Sequence, residues 1–180
     1  MKSKILYGLC ILAASLMCRA LPVHAQQLDV PDNNEMKTYM SYKAITSTSS
    51  DQYKLQQQCV TDEQGFRVYD GRYCIALGTY YTDDIGVNVD VVLTNGTVIP
   101  CVTGDIKSDA HTDSTRRQIP SNGNVVEFIV DTSVMSQDVL HSGDISNISG
   151  FAGEISHLDI HSDSIVMSTY DSDVAVFVTY

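Results

Sequence analysis

Short apolar runs recur along the chain from residue 73 onward, and small or polar residues separate them. The runs are rich in Val, Ile, Tyr and Thr, which favour β-strands, while the intervening Gly, Asn, Asp and Ser favour turns. This pattern predicts a mainly β domain of roughly six to eight strands. The runs are YCIALGTYY, VNVDVVL, TVIPCV, NVVEFIVD, EISHLDIH, SIVMSTY and VAVFVTY.

Two of the predicted connections are hairpins. Asn95 and Gly96 stand between VVLT and TVIP, and this pair favours a two-residue turn in which both residues have positive φ. The sequence YDSD at residues 170–173 predicts a C-terminal hairpin between the last two runs.

Residues 131–144 interrupt the strand pattern, because their apolar side chains approximate one helical stripe. Thr132 or Ser133 is the predicted N-cap, and Gly143 is the predicted end of this short helix. Since closing a sheet removes its exposed edges, six to eight strands with one small helix favour a closed barrel.

The first 25 residues have the pattern of a secretory signal peptide. Lys2 and Lys4 precede the apolar run ILYGLCILAASLM, which is too short for a comfortable membrane span, and Ala25 is a suitable small residue before a cleavage site. A lipid attachment at Cys18 is the weaker alternative. The pattern predicts a secreted, extracellular or cell-envelope protein, with no stable membrane span after cleavage.

Residues 26–56 are polar, with isolated apolar side chains, and they predict an N-terminal arm that lies across the surface of a domain. Residues 57–180 then form that single β domain, because the remaining chain has no repeat and no second apolar cluster.

Charge excludes one class of partner. All 22 acidic residues follow residue 25, together with eight of the 11 basic residues, so the exported chain carries a formal net charge of −14. Such a surface repels nucleic acid and anionic membranes, and we expect no nucleic-acid binding.

Three cysteines remain after the signal segment, namely Cys59, Cys74 and Cys101. At most one internal disulfide is possible, and three buried thiols are an equally good interpretation of the sequence.

The order of features resembles the double-psi β-barrel proteins of bacterial cell walls, in particular the 3D (Asp-Asp-Asp) domain and the rare lipoprotein A-like domain. The similarity covers roughly residues 72–162, through IGVNVDVVLTNGTVIPCVTGD, VVEFIVD and HSGD. Gly86 occupies the position of the family's turn glycine, Asp105 and Glu127 those of two acidic residues, and Gly143 that of the glycine that ends the helix. The resemblance implies a six-stranded double-psi β-barrel.

The chain departs from the family pattern at two places. Ile106, Lys107 and Ser108 replace a glycine-bearing turn, and Gly78 and Thr79 stand where the first aspartate of the family falls. Two of the three acidic residues are therefore retained.

Active members of these families are lytic transglycosylases, which cleave peptidoglycan glycan strands without adding water. The resemblance implies Asp105 as the acid and base and Glu127 as an assisting residue. A non-catalytic barrel that binds cell-wall glycan, or an envelope interaction module, is the alternative. In that case Asp105 accepts loop hydrogen bonds and stiffens a turn.

Four further residues are candidates for contacts with a glycan. Tyr80 and Tyr81 have rings that can stack on a sugar, and Lys107 and His111 belong to the ionisable stretch after the strand VIPCV. We assign no cofactor and no metal site, because the ionisable stretch is more typical of a hydrated loop than of a set of ligands.

Overall fold

The computed structural model describes residues 25–161, so the predicted C-terminal hairpin and all but the last residue of the predicted signal peptide lie outside the described residues. Nine strands and two α-helices form the described part of the chain. The strands are β1 (Ala25–Asp29), β2 (Thr38–Ser41), β3 (Val60–Thr61), β4 (Arg67–Tyr69), β5 (Arg72–Gly78), β6 (Asn88–Leu93), β7 (Val98–Lys107), β8 (Glu127–Val130) and β9 (Ile155–His161). The helices are α1 (Asp51–Gln58) and α2 (Gln137–Ser142).

All nine strands belong to one sheet. Its main path runs β1-β9-β6-β7-β5-β4-β3, while β8 pairs with β5 and with β2 off that path. The β5·β7 and β2·β8 pairs are parallel, and the other pairs are antiparallel. The predicted mainly β fold is confirmed. Within residues 25–161 the sheet is mixed and unclosed, so these pairings do not establish a six-stranded double-psi barrel.

The predicted arm, residues 26–56, is an integral part of the sheet. It supplies most of β1, which pairs with β9, and all of β2, which pairs with β8. Helix α1 begins after Ser50, whose Oγ accepts a hydrogen bond from the Tyr53 N–H at 3.2 Å. This bond satisfies an amide that has no partner within the helix.

The β6–β7 hairpin forms at the predicted place but with a different turn. The Leu93 N–H donates to the Thr97 carbonyl at 2.8 Å, and the Gly96 N–H donates to the Leu93 carbonyl at 2.9 Å. Gly96 has φ +85°, whereas Asn95 does not have positive φ. The prediction of a two-residue turn is therefore wrong, and the connection is a three-residue loop with a left-handed glycine.

Helix α2 is shorter than predicted. Its N-cap is Ser136, and Gly143 ends it in the left-handed conformation, as predicted. The predicted caps Thr132 and Ser133 lie before the helix, where the Ser133 N–H and hydroxyl both donate to the Asp131 carboxylate. Neither helix in the described range has the length and hydrophobicity needed to cross a membrane.

Strand β5 is buried on both faces, which explains its uninterrupted apolar sequence. Ile75 and Leu77 face the main core, while Cys74 faces a second cluster that contains Leu55 of α1. The sheet therefore lies between the main core and helix α1. Four aromatic rings pack together in the main core or at its edge, namely those of Phe66, Tyr73, Phe128 and Phe151.

Two glycines allow close packing against the sheet, and the same substitution at each gives a matched pair. We expect Gly104→Ala to lower the free energy of unfolding by about 1–3 kcal/mol, because the new methyl would lie 2.7 Å from Ile129 Cδ1, which can partly rotate away. Gly78→Ala should cost more, because the carbonyl oxygen of Arg116 occupies the position of the new methyl and belongs to the backbone. Urea unfolding measures both. A Gly78→Ala variant as stable as the wild type would contradict this packing.

Candidate functional site

A bulge in β7 sets the direction of Asp105. Thr103 pairs with Ile75 of β5, but the next pair is Asp105 with Ala76, so Gly104 is an extra residue on β7. A bulge of this kind changes the face to which the following side chain points. A side chain at Gly104 would lie 2.7 Å from the Ile129 side chain, which explains a glycine at this position.

The bulge places the two predicted catalytic acids on one rung of the sheet. Ala76 pairs with Asp105 on one side and with Glu127 of β8 on the other. Side chains on one rung share a face, and two strand spacings put the Cα atoms of the two acids about 10 Å apart. Asp105 and Glu127 therefore lie on one face of the sheet, on either side of Ala76.

Asp105 lies at one side of a small open cleft, which we name the Asp105 cleft. The cleft has a volume of about 260 Å³. Apart from Asp105, its lining comes from residues 44–52, which we name the covering segment, because they extend over this face of the sheet. The lining residues are Ala44, Ile45, Thr46, Ser47, Ser50, Gln52 and Asp105. Glu127 does not line the Asp105 cleft.

The carboxyl group of Asp105 is half-buried, and this burial raises its pKa above the ordinary range. Two hydrogen bonds act in the opposite direction, because they favour the carboxylate. One comes from the Ile106 N–H at 2.9 Å, and the other comes from the side chain of Gln52. Burial outweighs both. The result is a carboxyl group beside a cleft that holds its proton more tightly than an exposed aspartate does.

Lys107 occupies the same strand but does not reach the cleft. Its side chain is only 6% exposed, and Nζ donates hydrogen bonds to the carbonyls of Asn124 at 3.1 Å and Val125 at 2.8 Å. Burial lowers the pKa of Lys107 to about 8, and the nearby Glu127 carboxylate partly offsets this effect. These contacts tie the end of β7 to the residues before β8, and Lys107, a predicted substrate contact, does not line the Asp105 cleft.

The two predicted stacking tyrosines have different environments. The Tyr80 ring is 41% exposed, and the Arg117 guanidinium lies 3.9 Å from its centroid. The Tyr81 ring is only 5% exposed and packs in the main core, where burial raises the pKa of its hydroxyl. Of the pair, Tyr80 has the ring surface that a ligand can contact.

His111 is exposed in the short 3-10 turn Asp109–His111. The Asp109 carboxylate accepts a hydrogen bond from Thr79 Oγ1 at 2.7 Å and lies 3.6 Å from the Arg116 guanidinium. Across residues 25–161, no group of three or more His, Cys, Asp or Glu side chains is arranged to hold a metal ion.

A larger cleft, of about 560 Å³, was not predicted from the sequence. It opens on the main-core side of the sheet, where Tyr73 and Phe151 supply aromatic surface and Asp62 supplies a carboxylate. Val98 at its rim is 53% exposed. Val98 belongs to β7 and Tyr73 to β5, so no local sequence pattern brings them together.

No protein-family model, curated protein or solved structure matches this chain. The resemblance to the double-psi wall proteins therefore depends on the order of sequence features.

Lys107 gives a pH-dependent prediction. Its pKa is about 8 in the folded chain and is near 10.4 in an unfolded chain. Between these values the unfolded chain keeps a proton that the folded chain has released, so the free energy of unfolding rises with pH by up to about 1.4 kcal/mol per pH unit. Below a pH of about 8, Lys107 is protonated in both the folded and the unfolded chain, so the folded chain bears the full cost of burying the ammonium group.

The measurement compares urea unfolding of the wild type with that of Lys107→Met, at several pH values from about 7 to 10.5. We expect the wild type to gain stability over the variant as pH rises, because the variant lacks only this titration. Lys54→Met is the control, since the Lys54 side chain is 53% exposed. Parallel pH curves for the wild type and Lys107→Met would show that the ammonium is not buried.

Proposed function

We propose that this chain is an exported cell-envelope protein that cleaves the glycan strands of peptidoglycan as a lytic transglycosylase, with Asp105 as the acid and base. The observation that carries the proposal is the half-buried Asp105 carboxyl, which lines a cleft and has a raised pKa. A raised pKa keeps the acid form of a carboxyl group present to a higher pH, and the acid form is the one that can donate a proton to a leaving group.

One carboxyl group is sufficient for this reaction. Protonated Asp105 donates its proton to the glycosidic oxygen as the bond to the anomeric carbon breaks. The resulting carboxylate then accepts the proton of a hydroxyl group on the same sugar, and that oxygen attacks the anomeric carbon to close an anhydro ring. No water is consumed, and Asp105 returns to its protonated form.

Glu127 supports the reaction from a distance in this proposal. It shares the rung of Asp105 but does not line the Asp105 cleft. Its charge adds negative potential on that face of the sheet, which favours the positive charge that develops on the sugar ring.

The double-psi fold is part of the same proposal. The parallel β5·β7 pair, with antiparallel β6 beside β7 and β8 beside β5, supports a mixed sheet of the kind that the resemblance implies. The signal-like first 25 residues support export, and the resemblance supports the cell envelope as the location.

A second candidate function is non-catalytic binding of cell-wall glycan. The larger cleft favours it, because about 560 Å³ is within the range of small-molecule sites. Its aromatic and apolar lining suits the face of a sugar ring. In this alternative Asp105 is not catalytic, and the hydrogen bonds that it accepts from Ile106 and Gln52 stabilise the local backbone and the covering segment.

We expect Asp105→Asn to lose glycan cleavage by at least about 100-fold, since an amide can neither donate nor accept the required proton. The assay incubates purified protein with peptidoglycan and measures anhydro-sugar ends by mass spectrometry. In the wild type, product formation should fall as pH rises above the pKa of Asp105, because the acid form disappears. Asp138→Asn is the matched control, because this exposed residue lies on α2, outside both clefts.

Binding of the same peptidoglycan separates the two candidates. If the second candidate is correct, the wild type binds glycan without anhydro products, and Val98→Glu at the rim of the larger cleft weakens binding. Val134→Glu is the control, as a valine that is 46% exposed and lies outside that cleft. A wild-type protein that neither binds nor cleaves peptidoglycan would remove both candidates.

A further inference from the structure

Two cysteine sulfurs lie in contact where helix α1 ends on the sheet. Cys59 directly follows α1, Cys74 lies in β5, and their Sγ atoms are 3.3 Å apart. A disulfide needs a separation of about 2.05 Å, so the atoms must approach by little more than 1 Å. Cys59 is 9% exposed and Cys74 is fully buried, so Cys59 is the more accessible residue of the two.

We propose that Cys59 and Cys74 form a reversible disulfide that fastens α1 and the covering segment to the sheet. The third cysteine, Cys101, stays a thiol, because it faces the main core while Cys59 and Cys74 face the second cluster. This inference does not depend on glycan cleavage.

The two thiols have unequal acidity, which fits the roles of attacking and buried sulfur. The hydrogen bond with Cys74 lowers the pKa of Cys59, and the Arg67 cation acts in the same direction. The same hydrogen bond and burial raise the pKa of Cys74. Arg67 is held in place by hydrogen bonds to the carbonyls of Gln56 at 2.6 Å and Cys59 at 3.0 Å.

Oxidation proceeds by thiol–disulfide exchange with a small disulfide such as oxidised glutathione. The Cys59 thiolate attacks one sulfur of glutathione disulfide, and one glutathione thiolate leaves. The Cys74 sulfur then attacks the Cys59 sulfur of the mixed disulfide, and the Cys74 proton passes to the second glutathione sulfur, which leaves as a thiol. Two cysteine thiols are oxidised by two electrons, and one glutathione disulfide is reduced to two thiols.

The bond would act on the Asp105 cleft through helix α1. Gln52 at the start of α1 hydrogen-bonds the Asp105 carboxyl, and Cys59 stands at the other end of the same helix. A covalent link at that end restricts how far the helix and the covering segment can lift from β5 and β7. The redox state therefore controls how firmly the cleft is covered.

The experiment equilibrates the full chain in buffers of varied oxidised to reduced glutathione ratio, quenches exchange with acid, alkylates all free thiols in denaturant and maps the peptides by mass spectrometry. We expect a Cys59–Cys74 linked peptide that dithiothreitol removes, with Cys101 alkylated throughout. Cys74→Ser should lose the linked peptide and accumulate glutathione on Cys59. Cys101→Ala is the matched control and should keep the link.

Hydrogen exchange tests the effect on the helix. We expect slower exchange of the α1 amides in the oxidised than in the reduced wild type, and no such difference in Cys74→Ser. Alkylation of both Cys59 and Cys74 under oxidising conditions, or a link from Cys59 to Cys10, Cys18 or Cys101 instead, would overturn the proposal. A link that leaves α1 exchange unchanged would overturn the fastening role.

Discussion

The one-residue shift between β5 and β7 at Gly104 is the constraint on which the candidate site depends. With uninterrupted pairing, Asp105 would stand beside Leu77 and face the main core, where an unpaired carboxylate costs several kcal/mol. The extra residue turns Asp105 to the opposite face and places it beside Ala76. Because Ala76 is small and also pairs with Glu127, two acidic side chains flank a short one on a single rung. The site is thus a consequence of strand register, and the charged loop that follows is not required to build it.

The environment of Asp105 depends on the covering segment as much as on the sheet. All other residues that line the Asp105 cleft come from residues 44–52, so this segment supplies much of the burial that raises the pKa of the carboxyl. Gln52 from the same segment favours the carboxylate through its hydrogen bond. If the covering segment moved away, Asp105 would lose both the burial that raises its pKa and the Gln52 hydrogen bond that lowers it. Water would then surround the carboxyl group. The raised pKa of Asp105 therefore depends on the covering segment lying over the carboxyl group, and the contact between α1 and β5 helps to hold that segment in place.

Local pattern predicted the strands that carry continuous apolar runs, from β5 to β9, because their own residues favour extended structure. It did not predict β1, β2 or α1, whose sequences are polar and short. The strand state of Thr38 depends on pairing with Glu127 far along the chain, and no local signal encodes this. The same limit applies to the site. A glycine within a strand is a known sign of a bulge, so Gly104 offered a signal. The burial of Tyr81 depends on packing that no tyrosine pattern reveals.

The ionisable stretch after VIPCV divides into two parts where β7 ends. Asp105 and Lys107 lie within the strand, and burial shifts the pKa of each in the direction that favours the neutral form. Beyond the strand, the Asp113 carboxylate accepts hydrogen bonds from the Arg117 N–H at 2.9 Å and Thr115 Oγ1 at 2.7 Å, which folds the loop on itself. Water stabilises the charge of an exposed side chain. A side chain held on a buried strand stays in a low-dielectric environment, which disfavours its charged form. Residue types alone make the two parts look alike, and the burial of Asp105 and Lys107 is what distinguishes them from the charged groups of the loop.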